Sequence, residues 1–157
     1  MTTQANDTSL RAHLVKLLNG GEAHLFFDDL LEGFPVERCN EKIDGLPYSA
    51  WQVLEHIRIA QWDIIEFYRN AEYVSPDFPK GYWPKETGNK ELLEATANQI
   101  RKDLDEVIVM VNDPSNDLFA RIPHGTGQTL LRQALLIADH NAYHLGTLAL
   151  MKRLLQH

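Results

Sequence analysis

The chain has 157 residues and a mass of 18.0 kDa, enough to bury one core without a disulfide or a structural metal. Hydrophobic residues make up 44% and charged residues 24%, which excludes global disorder. Lys+Arg 15 against Asp+Glu 22 leaves a net charge of −7, a poor balance for binding nucleic acid or anionic lipid.

The first predicted element covers about residues 8–32. Leu10, Leu14, Leu17 and Leu18 have helical spacing, and so do Ala23, Phe26, Phe27, Leu30 and Leu31. Gly20-Gly21 interrupts this block, and each glycine costs about 1 kcal/mol inside a helix, so a break or kink is expected there. A second helix is expected over about 49–70, with Ser49 as N-cap after Pro47. The third, about 89–112, carries one apolar stripe through Leu93, Ala97, Ile100, Leu104, Val107 and Val111. The fourth covers about 128–155. Three long connections, 33–48, 71–88 and 113–127, are rich in Pro and Gly and permit crossovers between non-adjacent helices. The middle one holds Tyr73, Phe78, Tyr82 and Trp83, four aromatics expected to fold back on the mouth of the bundle. The fold class is therefore all-α, a single four-helix-bundle domain over 1–157.

Cys39 is the only cysteine, which excludes an intrachain disulfide and a Cys-based zinc site and points to a reducing compartment. The polar N-terminus lacks the pattern of a signal peptide, and no apolar run is long enough to span a membrane. A cytoplasmic protein is expected. Cys39 itself lies in a charge-rich loop with no base in view and is read as incidental.

The strongest chemical signal is His140-Asn-Ala-Tyr-His144. Histidines four apart stand one turn apart on one helix face. Exposed surface histidines would have the same spacing. Projection at about 100° per residue, however, puts Gln133, Leu136, Ile137, Thr147, Met151, Leu154 and Leu155 on the histidine face. Both imidazoles therefore point inward, and buried imidazoles need partners. His56 is the third candidate, because its face-mates on the second helix are Val53, Ala60, Asp63 and Phe67. Three inward histidines on two helices match a catalytic type of metal site with open positions. The expected ion is divalent, Zn²⁺ or Ni²⁺ before Fe²⁺ or Mn²⁺, since all accept imidazole.

Two segments carry a family resemblance. Gly45-Leu-Pro-Tyr-Ser-Ala-Trp-Gln-Val-Leu-Glu-His56-Ile-Arg-Ile-Ala-Gln-Trp-Asp63 resembles the second helix of the DinB-like superfamily, and Ala138-Asp-His140-Asn-Ala-Tyr-His144-Leu-Gly-Thr resembles its fourth. Gly-Tyr-Trp-Pro84 and Ile122-Pro-His-Gly125 are also similar to members of that group. The resemblance implies an up-down-down-up four-helix bundle. It also implies a divalent metal held by three histidines, here His56, His140 and His144. Some relatives use the site for S-transfer with low-molecular-weight thiols or for maleylpyruvate isomerisation.

Candidates to support the ligands are Asp63, Gln52, Gln133 and Tyr143, with Thr147 beside them. Glu55 and Asp139 project away from the site. His24, four residues before Asp28, is a weaker ligand candidate, and His124 is expected near the bundle mouth. His13 and His157 have no evident partner. The leading reading is a metal-dependent enzyme that activates a low-molecular-weight thiol or water against a small-molecule substrate, as a transferase or a hydrolase. The competing readings are a non-catalytic metal-binding bundle and a histidine pocket for an organic ligand. The other face of the fourth helix, Leu131, Leu135, Ala138, Ala142, Leu145 and Ala149, is apolar too and suggests a homodimer.

Overall fold

The computed structural model describes residues 4–156. Five α-helices make up the frame: α1 (Gln4–Asn19), a short α2 (Phe27–Leu31), α3 (Ala50–Arg69), α4 (Lys90–Asn112) and α5 (Leu130–Leu155). There is no strand among the described residues, only an isolated bridge between Arg121 and Thr129. No helix among them is long and apolar enough to cross a membrane.

Local sequence explains the helix ends. The expected break falls at Gly20-Gly21, where φ is 72° and 83°, a left-handed conformation that glycine adopts without strain. The helix stops at Asn19, and only Phe27–Leu31 of the remaining block is helical. Ser49 caps α3 in a reciprocal capping box: its side chain accepts from the Gln52 amide, and the Gln52 side chain accepts from the Ser49 amide. The Asn89 side chain accepts from the Leu92 amide at the start of α4, and the Thr129 hydroxyl accepts from the Arg132 amide at the start of α5. Buried Arg11 donates to the carbonyls of Val111, Asp113 and Asn116, satisfying acceptors that the end of α4 leaves open.

α3 packs on both α4 and α5, and α1 packs on the same two helices. Cross-contacts give the relative directions. Glu55 meets Thr96, Gln61 meets the Ile100 carbonyl and Arg69 meets Glu106, so α3 and α4 run the same way. His56 meets His140 and Ile64 meets Gln133, so α5 runs opposite to α3.

The core has two apolar clusters. One gathers Leu30, Trp51, Leu54, Ile57, Ile100, Leu148 and Met151. The other gathers Leu14, Ile65, Val107, Val111, Leu130 and Ile137. Each such side chain contributes roughly 1.5–3 kcal/mol on burial. A polar layer lies between the clusters. Gln61, fully buried, donates to the Ile100 carbonyl at 2.8 Å and accepts from Asn141 Nδ2 at 2.8 Å. Asn141 follows His140, so this layer is level with the histidines.

The structure refines three expectations. Cys39 belongs to the core at 1% exposure, packed in the first cluster, because the loop around it folds onto α3 and its carbonyl accepts from the Trp51 amide. Phe78 lies at the mouth of the cleft between α3 and α5, edge-on to Tyr82, yet stays 87% exposed. Leu154 is exposed, although projection placed it inward, on an outer stripe that it shares with Leu150, while Leu155 beside it is buried. On the other face of α5, Ala138 and Leu145 are buried in the two clusters, which α1 and α2 join.

Candidate metal centre

α3 delivers His56, and α5 delivers His140 and His144. Capped at Ser49, α3 places position 56 on its α5-facing side. The i, i+4 spacing on α5 stacks the other two imidazoles one turn apart. One nitrogen from each ring lies within 4.8 Å of the others, the one such group of metal-ligating side chains among the described residues. His56 Nε2 and His140 Nε2 are 3.1 Å apart. The His144 ring centroid is 4.6 Å from that of His56 and 4.5 Å from that of His140.

The His56 ring is fixed on two sides. Its Nδ1 lies 2.9 Å from the Tyr82 carbonyl. A carbonyl only accepts, so Nδ1 carries the proton and Nε2 keeps a lone pair facing the other imidazoles. Trp83 lies flat on the same ring at 4.1 Å and 4°, and Tyr48 stacks on Trp83 at 3.4 Å.

Electrostatics keep the cluster neutral. Burial, then the neighbouring rings, push His140 and His144 down to about 4. Burial lowers His56 as well, against the opposing pull of the Tyr82 carbonyl. Neutral imidazole is the form that ligates metal. His140 Nδ1 is buried and without a hydrogen-bond partner. Three neutral nitrogen donors converge on one point, and the donor set fits a divalent cation. With three protein ligands, such an ion keeps at least one position open for solvent or substrate.

That open side faces a cavity of about 640 Å³ between α3 and α5. Its walls include Ala60, Asp63, Ile64 and Phe67 from α3, and Arg132, Gln133 and Leu136 from α5. Phe78 and Tyr82 from the loop after α3 line it too. A second cavity of about 350 Å³ shares His144 and Tyr143 as its wall and continues along Trp83, Thr147 and Met151.

The supporting candidates separate clearly. Asp63 Oδ2 accepts from the Tyr82 hydroxyl at 2.8 Å, and its Oδ1 is buried without a partner. Burial and Asp63 push the Tyr73 phenol up to about 12, and the Tyr82 phenol is raised for the same reasons. Gln133, 3% exposed, donates to the Ile64 carbonyl at 3.2 Å and lines the larger cavity. Tyr143 is not packed in the core: it is 73% exposed, with its ring edge-on to His144 at 4.9 Å. Thr147 donates to the Tyr143 carbonyl and lines the smaller cavity. Gln52 lies away from the site, since its side chain closes the α3 cap and takes a hydrogen bond from Lys42 at 2.9 Å.

The other histidines stay apart. His24 bonds the Leu25 carbonyl, and Asp28 pairs with Arg101. His124 lies 2.6 Å from the Phe67 carbonyl, beside the mouth of the larger cavity. His13 is exposed on α1, and His157 lies outside the described residues. Glu55 does point away from the site, but it is buried against α4 and accepts from Thr96 and Arg58.

Sequence reasoning missed Tyr48 and Arg132, and it placed Tyr82 and Trp83 at the bundle mouth without their contacts to His56. Arg132 was within reach of it: Arg132, Leu136 and His140 form one i, i+4, i+8 stripe. The aromatics were not, because their roles depend on a loop path without periodicity.

A family model described as the DinB superfamily matches residues 27–148. No curated protein and no solved structure matches the chain.

Proposed function

The chain belongs to the DinB superfamily, and on that premise we propose that it is a divalent-metal-dependent enzyme that transfers a low-molecular-weight thiol to small electrophiles. The observation that carries the reading is the convergence of three neutral imidazoles, within 4.8 Å of one another, on a cavity of about 640 Å³. A bound divalent ion supplies one thing: it lowers the pKa of a thiol or water at its open position. The chain's own residues do the rest. His56 is oriented by Tyr82 and clamped by Trp83. His140 and His144 stay unprotonated at neutral pH because of where they are buried. Asp63 holds Tyr82 in place. The apolar walls, Ile64, Phe67 and Leu136, exclude water from an apolar substrate body.

Hydrolysis is the alternative reaction, since the same open position accepts water. A non-catalytic metal-binding bundle differs from both by lacking an exchangeable solvent ligand. Up-down-down-up connectivity belongs to the same proposal, supported by the shared direction of α3 and α4 and the opposite direction of α5. A homodimer is proposed too, supported by Leu135, Tyr143, Leu150 and Leu154, which lie exposed along α5.

Elemental analysis of untagged protein tests the central claim. About one divalent ion per chain in the native protein, lost in His140→Ala, is expected. No metal after incubation with zinc, nickel, iron(II) and manganese would overturn it.

A further inference from the structure

Arg132 stands at the far end of the larger cavity from the histidines, on the same stripe of α5 as Leu136 and His140. Two helical turns separate Arg132 from His140, a rise of about 12 Å. The chain is acidic, and most of its arginines are taken: Arg11, Arg38, Arg58, Arg69 and Arg101 all pair with carboxylates. Arg132 has no carboxylate partner among the described residues. Instead its Nη1 donates to Gln133 Oε1 at 2.7 Å. Gln133 is 3% exposed and donates in turn to the Ile64 carbonyl of α3, so a buried amide tied to the neighbouring helix positions the guanidinium. The acid that lines this cavity, Asp63, is bonded to Tyr82. The remaining guanidinium N–H groups have no partner among the described residues, beside a cavity that Ile64, Phe67 and Leu136 line with apolar surface and Asp63 with one unpaired carboxylate oxygen.

We infer that Arg132 is the anion-binding end of a substrate site, and that the substrate is an elongated amphipathic monocarboxylate. Its carboxylate pairs with the guanidinium fork, which matches carboxylate geometry with two N–H donors. Its apolar body lies along Phe67 and Leu136. Its reacting group, about 12 Å away by the rise of α5, reaches the histidines. A single cation suits a monoanion; a phosphate dianion would call for more positive charge on the wall. Only the placement of the reacting end rests on the metal-enzyme reading. Recognition of the carboxylate does not.

The test therefore uses metal-free full-length protein. Octanoate and octanol are titrated calorimetrically into the wild type, Arg132→Gln and Arg132→Lys, with thermal midpoints recorded as the check on folding. Octanoate is expected to bind the wild type, and Arg132→Gln to bind it about ten-fold more weakly or worse, the loss set by a charge-assisted hydrogen bond. Arg132→Lys should fall between them, and octanol should bind all three equally. Equal octanoate affinity in the wild type and Arg132→Gln would overturn the inference, and so would no binding to the wild type. A metal analysis that failed would leave these outcomes unaffected, so the two claims fail separately.

Discussion

His56 donates from Nδ1 to the backbone carbonyl of Tyr82 at 2.9 Å, and the Tyr82 hydroxyl donates to Asp63, two turns further along the same helix. One loop residue therefore bridges two points on α3 and sets the tautomer of a candidate ligand. Tyr82→Phe keeps the carbonyl but frees the loop, and should weaken metal binding about ten-fold, the low end for loss of an outer-sphere contact. Asp63→Asn retains an acceptor for the hydroxyl and should stay close to wild type. Chelator competition measures both.

Metal removal should lower stability by mass action, because the three nitrogens converge only in the folded chain. At a free ion concentration about 100 times the dissociation constant, the bound protein should gain about 2.7 kcal/mol over the metal-free form. Thermal melts with and without a chelator read this difference. A His140→Ala, His144→Ala double variant should melt at the same temperature in both conditions.

The pH dependence has a definite sign. His140 and His144 are pushed down to about 4, below their ordinary 6.5. Between those values the unfolded chain binds more protons than the folded one, so stability rises with pH. The metal-free protein should keep its full stability above about pH 6.5 and lose it progressively as pH falls toward 4. Melting midpoints across this window should flatten in the double histidine variant. A wild-type curve as flat as the variant's would contradict the burial argument.

Gln61 holds the polar layer between the two clusters, fully buried and bonded to both Ile100 and Asn141. Gln61→Leu fills nearly the same volume but leaves the Asn141 amide unpaired, at a cost of about 1–3 kcal/mol. Denaturant unfolding measures it. Because Asn141 follows His140, weaker metal binding should accompany the lost stability.

Helix boundaries were readable where the signal is local. Ser49, Asn89 and Thr129 each cap the helix that follows, and Gly20-Gly21 ends α1. The histidine cluster was readable because the i, i+4 spacing stacks His140 on His144 and because the face-mates of His56 turn it inward on α3. Gln52 was misplaced for a reason periodicity cannot express: at a helix start the backbone donors are unpaired, and a nearby amide is drawn to them. Tyr82 and Trp83 were legible as aromatics bound for the bundle mouth, but nothing in the spacing of loop 71–88 says which carbonyl or ring meets His56. Phe78, in the same loop, lines the rim of the larger cavity and stays mostly exposed.

Trp83 lies 4.1 Å from the His56 ring and parallel to it, whereas Trp51 is enclosed in the core and Trp62 lies under Arg69. The protein thus carries an optical probe at its centre. A paramagnetic ion such as Ni²⁺, if held by His56, would quench the indole beside it, while diamagnetic Zn²⁺ would alter only its surroundings. Trp83→Phe silences that signal and keeps the stack. Ion occupancy would then be followed in real time, without a label, by the part of the tryptophan emission that Trp83→Phe removes.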